Sequence, residues 1–207
     1  GQLRLTEEGE QGTFILKPKL TDFLYPEASP ANENLTMQIA EQVYKIPTAP
    51  NGLCFFKDGT VAYITKRYDV NPDGSKIQQE DFASLAGVTA DNAGKNYKYD
   101  SKSYEDIASL IRKHIPAWRV ELIKFYRLML FNFLFANGDA HLKNFSVLMT
   151  PEGDYVLSPA YDLINTLVHL PSDPIFALQR GLFSTPSDNQ GPVTGKMFHE
   201  FGIRIGL

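Results

Sequence analysis

The sequence predicts an α+β fold of two lobes, a small strand-rich lobe over residues 1–68 and a mainly helical lobe over 69–207. Three observations carry that expectation. Short β-branched and aromatic runs broken by Pro and Gly fill the first third. Apolar residues at helical spacing dominate from Ser103 onward, and a polar loop followed by a second hairpin pattern interrupts the helical part.

The elements follow in order. Gly12 to Pro18 is a short run stopped by proline, which suits a strand that points Lys17 out of its sheet. After the Pro-rich stretch Tyr25 to Pro30, Asn32-Glu33-Asn34 opens a helix expected to bury Leu35, Ile39, Ala40 and Val43 on one face. Leu53 to Phe56 and Thr60 to Ile64 flank Asp58-Gly59, the strongest hairpin signal in the chain. Asp69 to Lys76 and Ala90 to Ser103 read as loops, with a short helix around Phe82 to Leu85 between them. Ser103 is placed to cap a helix carrying Ile107, Leu110 and Ile111, with Glu105 and Asp106 in the first turn, where the helix dipole favours anions. Val120 to Phe135 is a second, very apolar helix. Phe145 to Met149 and Tyr155 to Leu157 then make another hairpin. Strand-rich lobe, helical lobe, polar loop, hairpin and acidic loop is the order of a bilobal protein kinase.

Bulk properties narrow the function. A chain of 207 residues with 43% hydrophobic content fits one domain or two small lobes with a real core. A formal charge of −4 and a pI near 5.6 argue against a surface that neutralises many phosphates, so no direct nucleic-acid binding is expected. Cys54 is the sole cysteine, which excludes an intramolecular disulfide and suits a reducing compartment. No apolar run reaches the roughly 18 residues of a membrane span. A cytoplasmic protein without a membrane role is the expectation.

The chemistry concentrates in Asn137-Gly138-Asp139-Ala140-His141-Leu142-Lys143-Asn144, followed downstream by Asp162. Phosphoryl transfer from a magnesium nucleotide needs one carboxylate to accept the hydroxyl proton. It also needs an amide and a second carboxylate to hold the metal. Each residue alone has an ordinary reading, since Asp after Asn-Gly is usual turn chemistry. The combination is what points to catalysis. Asn144 is expected to open an apolar strand, an awkward place for an amide unless its side chain faces a site. Asp162 lies in apolar sequence, where an uncompensated carboxylate is costly to bury. Lys17 is either an edge-strand gatekeeper or the lysine that touches phosphates in a kinase, with Glu33 as its helix partner. As a strand-end residue it is expected to contribute little to the core. Arg67 and Tyr68 either form a hinge between lobes or merely end an edge strand.

Phe14-Ile-Leu-Lys17-Pro18, Asn32-Glu33, Lys66-Arg67-Tyr68-Asp69, Gln79-Glu80-Asp81-Phe82, the block from Phe131 to Ser146 and Pro159-Ala-Tyr161-Asp162-Leu163 resemble the HipA family. The resemblance runs through nearly the whole chain, and the Asp-Ala-His-x-Lys-Asn-Phe-Ser block is highly specific. It implies a serine/threonine kinase that acts as the toxin of a bacterial type II toxin–antitoxin pair, using ATP and Mg2+. It implies Asp139 as catalytic base, Asn144 and Asp162 as magnesium ligands and Lys17, paired with Glu33, on the nucleotide phosphates. Lys66, Arg67 and Tyr68 would contact adenine, and His141, Lys143 and Tyr161 would border the nucleotide. The implied partners are a cognate DNA-binding antitoxin and a protein substrate such as an aminoacyl-tRNA synthetase. Family members carry a Gly-x-Gln-x-Lys-like phosphate-binding segment upstream of the Lys17 strand. The chain does not show it, and is expected to be a piece of a longer protein or to need a partner subunit. Two other readings are a catalytically silent module that binds nucleotide or antitoxin, and a metal-dependent hydrolase using Asp139, His141 and Asp162.

Overall fold

The computed structural model describes residues 4, 6–178, 180–183 and 192–207. The first residues of the expected N-terminal lobe, 1–3 and 5, lie outside them. β1 (Phe14–Pro18) is followed by α1 (Ser29–Gln42), β2 (Asn51–Phe55) and β3 (Val61–Lys66). The three strands form one antiparallel sheet in the order β1-β3-β2. Gly59 takes a φ of 84°, and Asp58 Oδ1 accepts the Thr60 N–H at 3.0 Å, so the Asp-Gly turn forms as its sequence predicts.

α1 departs from expectation in extent and in its buried face. It begins at Ser29 with Pro30 in its first turn, a position where the fixed φ of proline suits a helix. Leu35 and Val43 are 61% and 66% exposed, whereas Glu33, Thr36, Met37 and Ala40 are buried. The reason is tertiary. Met37 and Ala40 pack in one cluster with Ile46, Tyr63, Phe131, Ala160 and Leu163, and that apolar wall selects the face.

β4 (Gln79–Asp81), α2 (Phe82–Leu85), α3 (Ala90–Ala93), α4 (Tyr97–Asp100), α5 (Tyr104–His114) and α6 (Trp118–Leu134) come next. β5 (Ser146–Met149), β6 (Tyr155–Leu157) and α7 (Gly195–Arg204) complete the regular elements among the described residues. The second hairpin is in fact a three-stranded sheet, ordered β4-β5-β6. β4 is a polar triplet that becomes a strand because β5 offers it an edge. The expected loop from Ala90 to Ser103 contains α3 and α4, each a single turn. Ser103 caps α5 as expected: its Oγ accepts the Asp106 N–H at 3.1 Å, and the Asp106 carboxylate accepts the Ser103 N–H at 2.8 Å.

α6 belongs to two cores. Leu122, Phe125 and Met129 pack with Ile107 and Ile111 of α5 and with Phe145, Val147, Phe183 and Phe201. Phe131, further along α6, joins the cluster of α1 and the first sheet. One helix therefore fixes the strand-rich part against the helical part, and its C-terminal end emerges between them. No helix among the described residues is long and apolar enough to cross a membrane.

Candidate active site

The loop after α6 is shaped by one buried amide. Ala136 sits in the left-handed region at φ 49°, uncommon for a residue with a side chain, and turns the chain sharply. Asn137, 3% exposed, then donates from Nδ2 to Asn132 Oδ1 at 3.1 Å and to the main-chain carbonyl of Asp162 at 3.2 Å. Its Oδ1 accepts the Asp139 N–H at 3.3 Å. A single side chain thus sets Asp139 and Asp162 relative to the helix end. The Gly138 N–H donates to Thr166 Oγ1 at 3.0 Å. A Cβ at Gly138 would overlap the Pro174 carbonyl oxygen and reach 2.9 Å from Asp173 Oδ2, so only glycine fits there.

Asp139 is exposed at the mouth of a cleft, and its Oδ1 accepts a hydrogen bond from the Tyr99 hydroxyl. His141 opens a 3-10 turn over Leu142–Asn144, and its N–H donates to Asn144 Oδ1 at 3.2 Å. Asn144 closes this turn rather than opening a strand; β5 begins at Ser146. Asn144 Nδ2 donates to Asp162 Oδ2 at 3.2 Å. Asp162 itself adopts φ 55°, a left-handed conformation that Asp tolerates better than most residues.

Lys17 completes the cluster. Its Nζ donates to Glu33 Oε1 at 2.8 Å and also to Asp162 Oδ1, so one ammonium bridges carboxylates from α1 and from the segment after β6. Burial opposes the charge on Lys17, but Glu33 and Asp162 outweigh it and raise its pKa. Burial pushes the Glu33 carboxyl up to about 7, against the pull of Lys17. The ammonium, flanked by two carboxylates, is the partner that stays charged, and Glu33 is where the pair titrates. An acid whose folded pKa exceeds its ordinary value of 4.5 binds more protons folded than unfolded, so it stabilises below about 4.5 and that stability is lost as pH rises through about 7. The melting temperature of the wild type minus that of Glu33→Gln should therefore fall between pH 5 and pH 8. Equal differences at the two pH values would refute the assignment.

A cavity of about 450 Å³ is lined by Lys17, Glu33, Tyr99, Asp139, Asp162 and Thr166, among others. A second, of about 270 Å³, is lined by Lys17 and Asp162 again and by Lys66, Arg67, Tyr68 and Tyr161. The two cavities meet at the Lys17–Asp162 pair. Arg67 is held by Asp69, Nε to Oδ1 at 2.9 Å. The Tyr68 and Tyr161 rings lie 5.7 Å apart, and burial pushes the Tyr68 hydroxyl up to about 12. Tyr161 donates to the Lys143 carbonyl at 2.7 Å. His141 and Lys143 line neither cavity. Lys143 Nζ faces Asp81 Oδ2 at 3.4 Å, and His141 is buried against the Tyr99 ring at 5.0 Å, its pKa lowered by burial.

Sequence reasoning missed four contributors. Tyr99 had no signal, because it lies in polar sequence that reads as loop. Asn137 was visible only as a turn residue. Asn32 donates from Nδ2 to the Asn165 carbonyl at 2.9 Å and lies 2.9 Å from His169 Nε2, which ties α1 to the chain just beyond Asp162. His169 in turn bonds through Nδ1 to the Leu24 carbonyl at 2.8 Å.

A sequence profile described as the HipA-like C-terminal domain matches residues 2–191. Two Sinorhizobium fredii proteins bear the names "Putative kinase Y4mE" and "Putative kinase Y4dM". The first is 29% identical over 216 residues, covering 100% of this chain and 48% of the relative. The second is 30% identical over 190 residues, covering 86% and 43%. The chain therefore spans about half the length of these curated relatives. Among solved structures, the Shewanella oneidensis HipA, HipB and operator DNA complex of a toxin–antitoxin system matches with a TM-score of 0.62 at 24% identity, covering 74% of this chain and 37% of the matched chain. The Helicobacter pylori proinflammatory kinase CtkA matches with a TM-score of 0.64 at 15% identity, covering 93% and 74%. At these identities the likeness carries the fold, which is kinase-like.

Proposed function

The chain belongs to the HipA-like C-terminal domain family, and from that premise we propose that its parent protein transfers the γ-phosphate of ATP to a serine or threonine hydroxyl of another protein. The observation that carries this reading is the Lys17 ammonium bridging Glu33 and Asp162, with Asn144 on the far oxygen of Asp162 and Asp139 in the same cleft. A lysine on an N-terminal strand, paired to a helix glutamate and set beside a metal-binding carboxylate, is the arrangement that phosphoryl transfer requires. Lys17 binds the phosphates, and Lys66, Arg67, Tyr68 and Tyr161 border the adenine cavity. His141 and Lys143 border the nucleotide, His141 packing against Tyr99 and Lys143 facing Asp81 at the end of β4.

The residues fit magnesium. Mg2+ takes oxygen ligands and keeps several waters, so one carboxylate and one amide oxygen suffice beside phosphate oxygens. Asp162 would supply the carboxylate and Asn144, whose Nδ2 faces Asp162 Oδ2, the amide oxygen once its amide group turns over, and the ion would neutralise phosphate charge. Among the described residues no group of three His, Cys, Asp or Glu could hold a metal, which disfavours the hydrolase reading, since such sites supply most ligands from protein. In the transfer itself the acceptor oxygen bonds to the γ-phosphorus and the bond to the β,γ-bridging oxygen breaks. Its electron pair leaves with ADP, and the hydroxyl proton passes to Asp139.

The solved Shewanella HipA was complexed with HipB and operator DNA. We extend that partnership to this chain as a cognate DNA-binding antitoxin, and assign an aminoacyl-tRNA synthetase as the acceptor protein from the family resemblance. Such a target and donor put the reaction in the cytoplasm. Incubating the full-length protein with radiolabelled ATP, Mg2+ and cell lysate should label a protein on serine or threonine, and chelating the metal should abolish the labelling. Absence of any labelled protein, with no ATP binding by calorimetry, would overturn the reading.

A further inference from the structure

The Tyr99 hydroxyl donates to the carboxylate proposed as the base, in the cavity that also holds Lys17 and Asp162. That is the hydrogen bond an acceptor hydroxyl must itself make before it can lose its proton. We propose that the Tyr99 phenol occupies the acceptor position at Asp139, so that an incoming serine or threonine hydroxyl has to displace it, and Tyr99 thereby sets which acceptor proteins are used. This rests on Asp139 being the base.

The chemistry of the phenol suits such a stand-in. Burial and the adjacent Asp139 carboxylate raise its pKa, so it stays protonated and can only donate to that carboxylate. A tyrosine hydroxyl stands at the end of a long rigid ring, so it reaches into the cleft from outside, as the side chain of a docked protein would.

Its mounting suits displacement. α4 is a single turn that buries no residue and has no side-chain cap at Asn96. Gly94, which ends α3 three residues before α4 begins, has φ 81°, a conformation open to glycine and strained for other residues. The Tyr99 ring makes an edge contact to His141 at 5.0 Å, lies 4.9 Å from the Lys98 ammonium, and packs half-buried, with Tyr97, against the large core. A single half-buried turn opens locally at lower cost than a long helix with fully buried side chains. The competing account is that Tyr99 merely orients Asp139. The two separate cleanly: a competitor for the acceptor position raises KM for the acceptor, whereas a positioning group raises kcat.

The test uses the full-length protein with Mg·ATP, with dephosphorylated casein as acceptor probe and with water as the smallest acceptor. Tyr99→Phe keeps the ring and removes the hydroxyl. The KM for casein should fall about tenfold, the size expected for losing one hydrogen bond to a charged group. The value of kcat should hold, and ATP hydrolysis should rise. A lower kcat with unchanged KM, or unchanged rates on both acceptors, would overturn the proposal; where casein is not turned over, unchanged or slower ATP hydrolysis does so by itself. Asp139→Asn runs alongside: if that variant retains full activity, the base assignment fails instead, and the two failures are distinguished.

Discussion

Asp139→Asn in the full-length protein is expected to lower phosphoryl transfer by about 10²- to 10⁴-fold, the usual contribution of a positioned general base, while Mg·ATP affinity stays largely intact. The Asp139 side chain bonds to Tyr99 and shares a cavity with Lys17 and Asp162, so its loss is expected to leave the Lys17–Asp162 pair in place. The interaction it supplies matters mainly in the transition state. Asp162→Asn should behave differently. Asn is as tolerant of the left-handed φ of 55° as Asp, so the substitution isolates the charge. Affinity for Mg·ATP should fall together with turnover, because in the proposed reading the lost charge is the one assigned to the metal. Calorimetric titration of ATP with magnesium present separates the two variants. Equal losses of affinity would sink the division into base and metal ligand.

Lys17→Ala bears on the same site, and the structure revises the expectation that a strand-end lysine is dispensable to the fold. Its removal leaves Glu33, with a side chain only 10% exposed, without the partner that offsets its burial. Weaker nucleotide binding should therefore come with a lower melting temperature. Lys17→Ala combined with Glu33→Gln should recover stability without recovering affinity, which separates the structural role of the pair from its role at the phosphates.

Gly138→Ala is expected to be the most damaging methyl group that can be added near the site. Its Cβ would overlap the Pro174 carbonyl oxygen and crowd Asp173 and Thr166, so the loop bearing Asp139 has to shift. Overpacking of this kind costs about 1–3 kcal/mol, read as a lower urea midpoint at constant m, and activity should fall with it because Asp139 moves. Gly52→Ala, in β2, is the control. Nothing lies within 4 Å of its Cβ, so the strand accepts the methyl group and stability should hold or rise by up to about 1 kcal/mol, through the lower entropy of the unfolded chain. If the two alanines cost the same, the close approach at Gly138 is not what shapes the loop.

Some of this molecule was settled by short-range signals. The Asp58-Gly59 turn, the α2 span from Phe82 to Leu85 and the Ser103–Asp106 box depend on residues within a few positions of one another, and so do the 3.6-residue periodicity that marks α5 and the apolar run that marks α6. The Asp139 to Asn144 block was likewise legible as a motif, though its proposed chemistry needs Asp162 from farther along the chain. Other features depend on surfaces that no local window contains. Leu35 and Val43 fit a helical face as well as Met37 does, but only Met37 meets Tyr63 and Phe131. β4 is a strand because β5 lies beside it, and Tyr99 became part of the site because α4 packs where its phenol reaches Asp139. The sequence by itself determined which residues could do the chemistry. Tertiary structure decided which of them meet, because that depends on contacts between residues far apart in the chain, such as Lys17 with Asp162 and Asn137 with the Asp162 carbonyl.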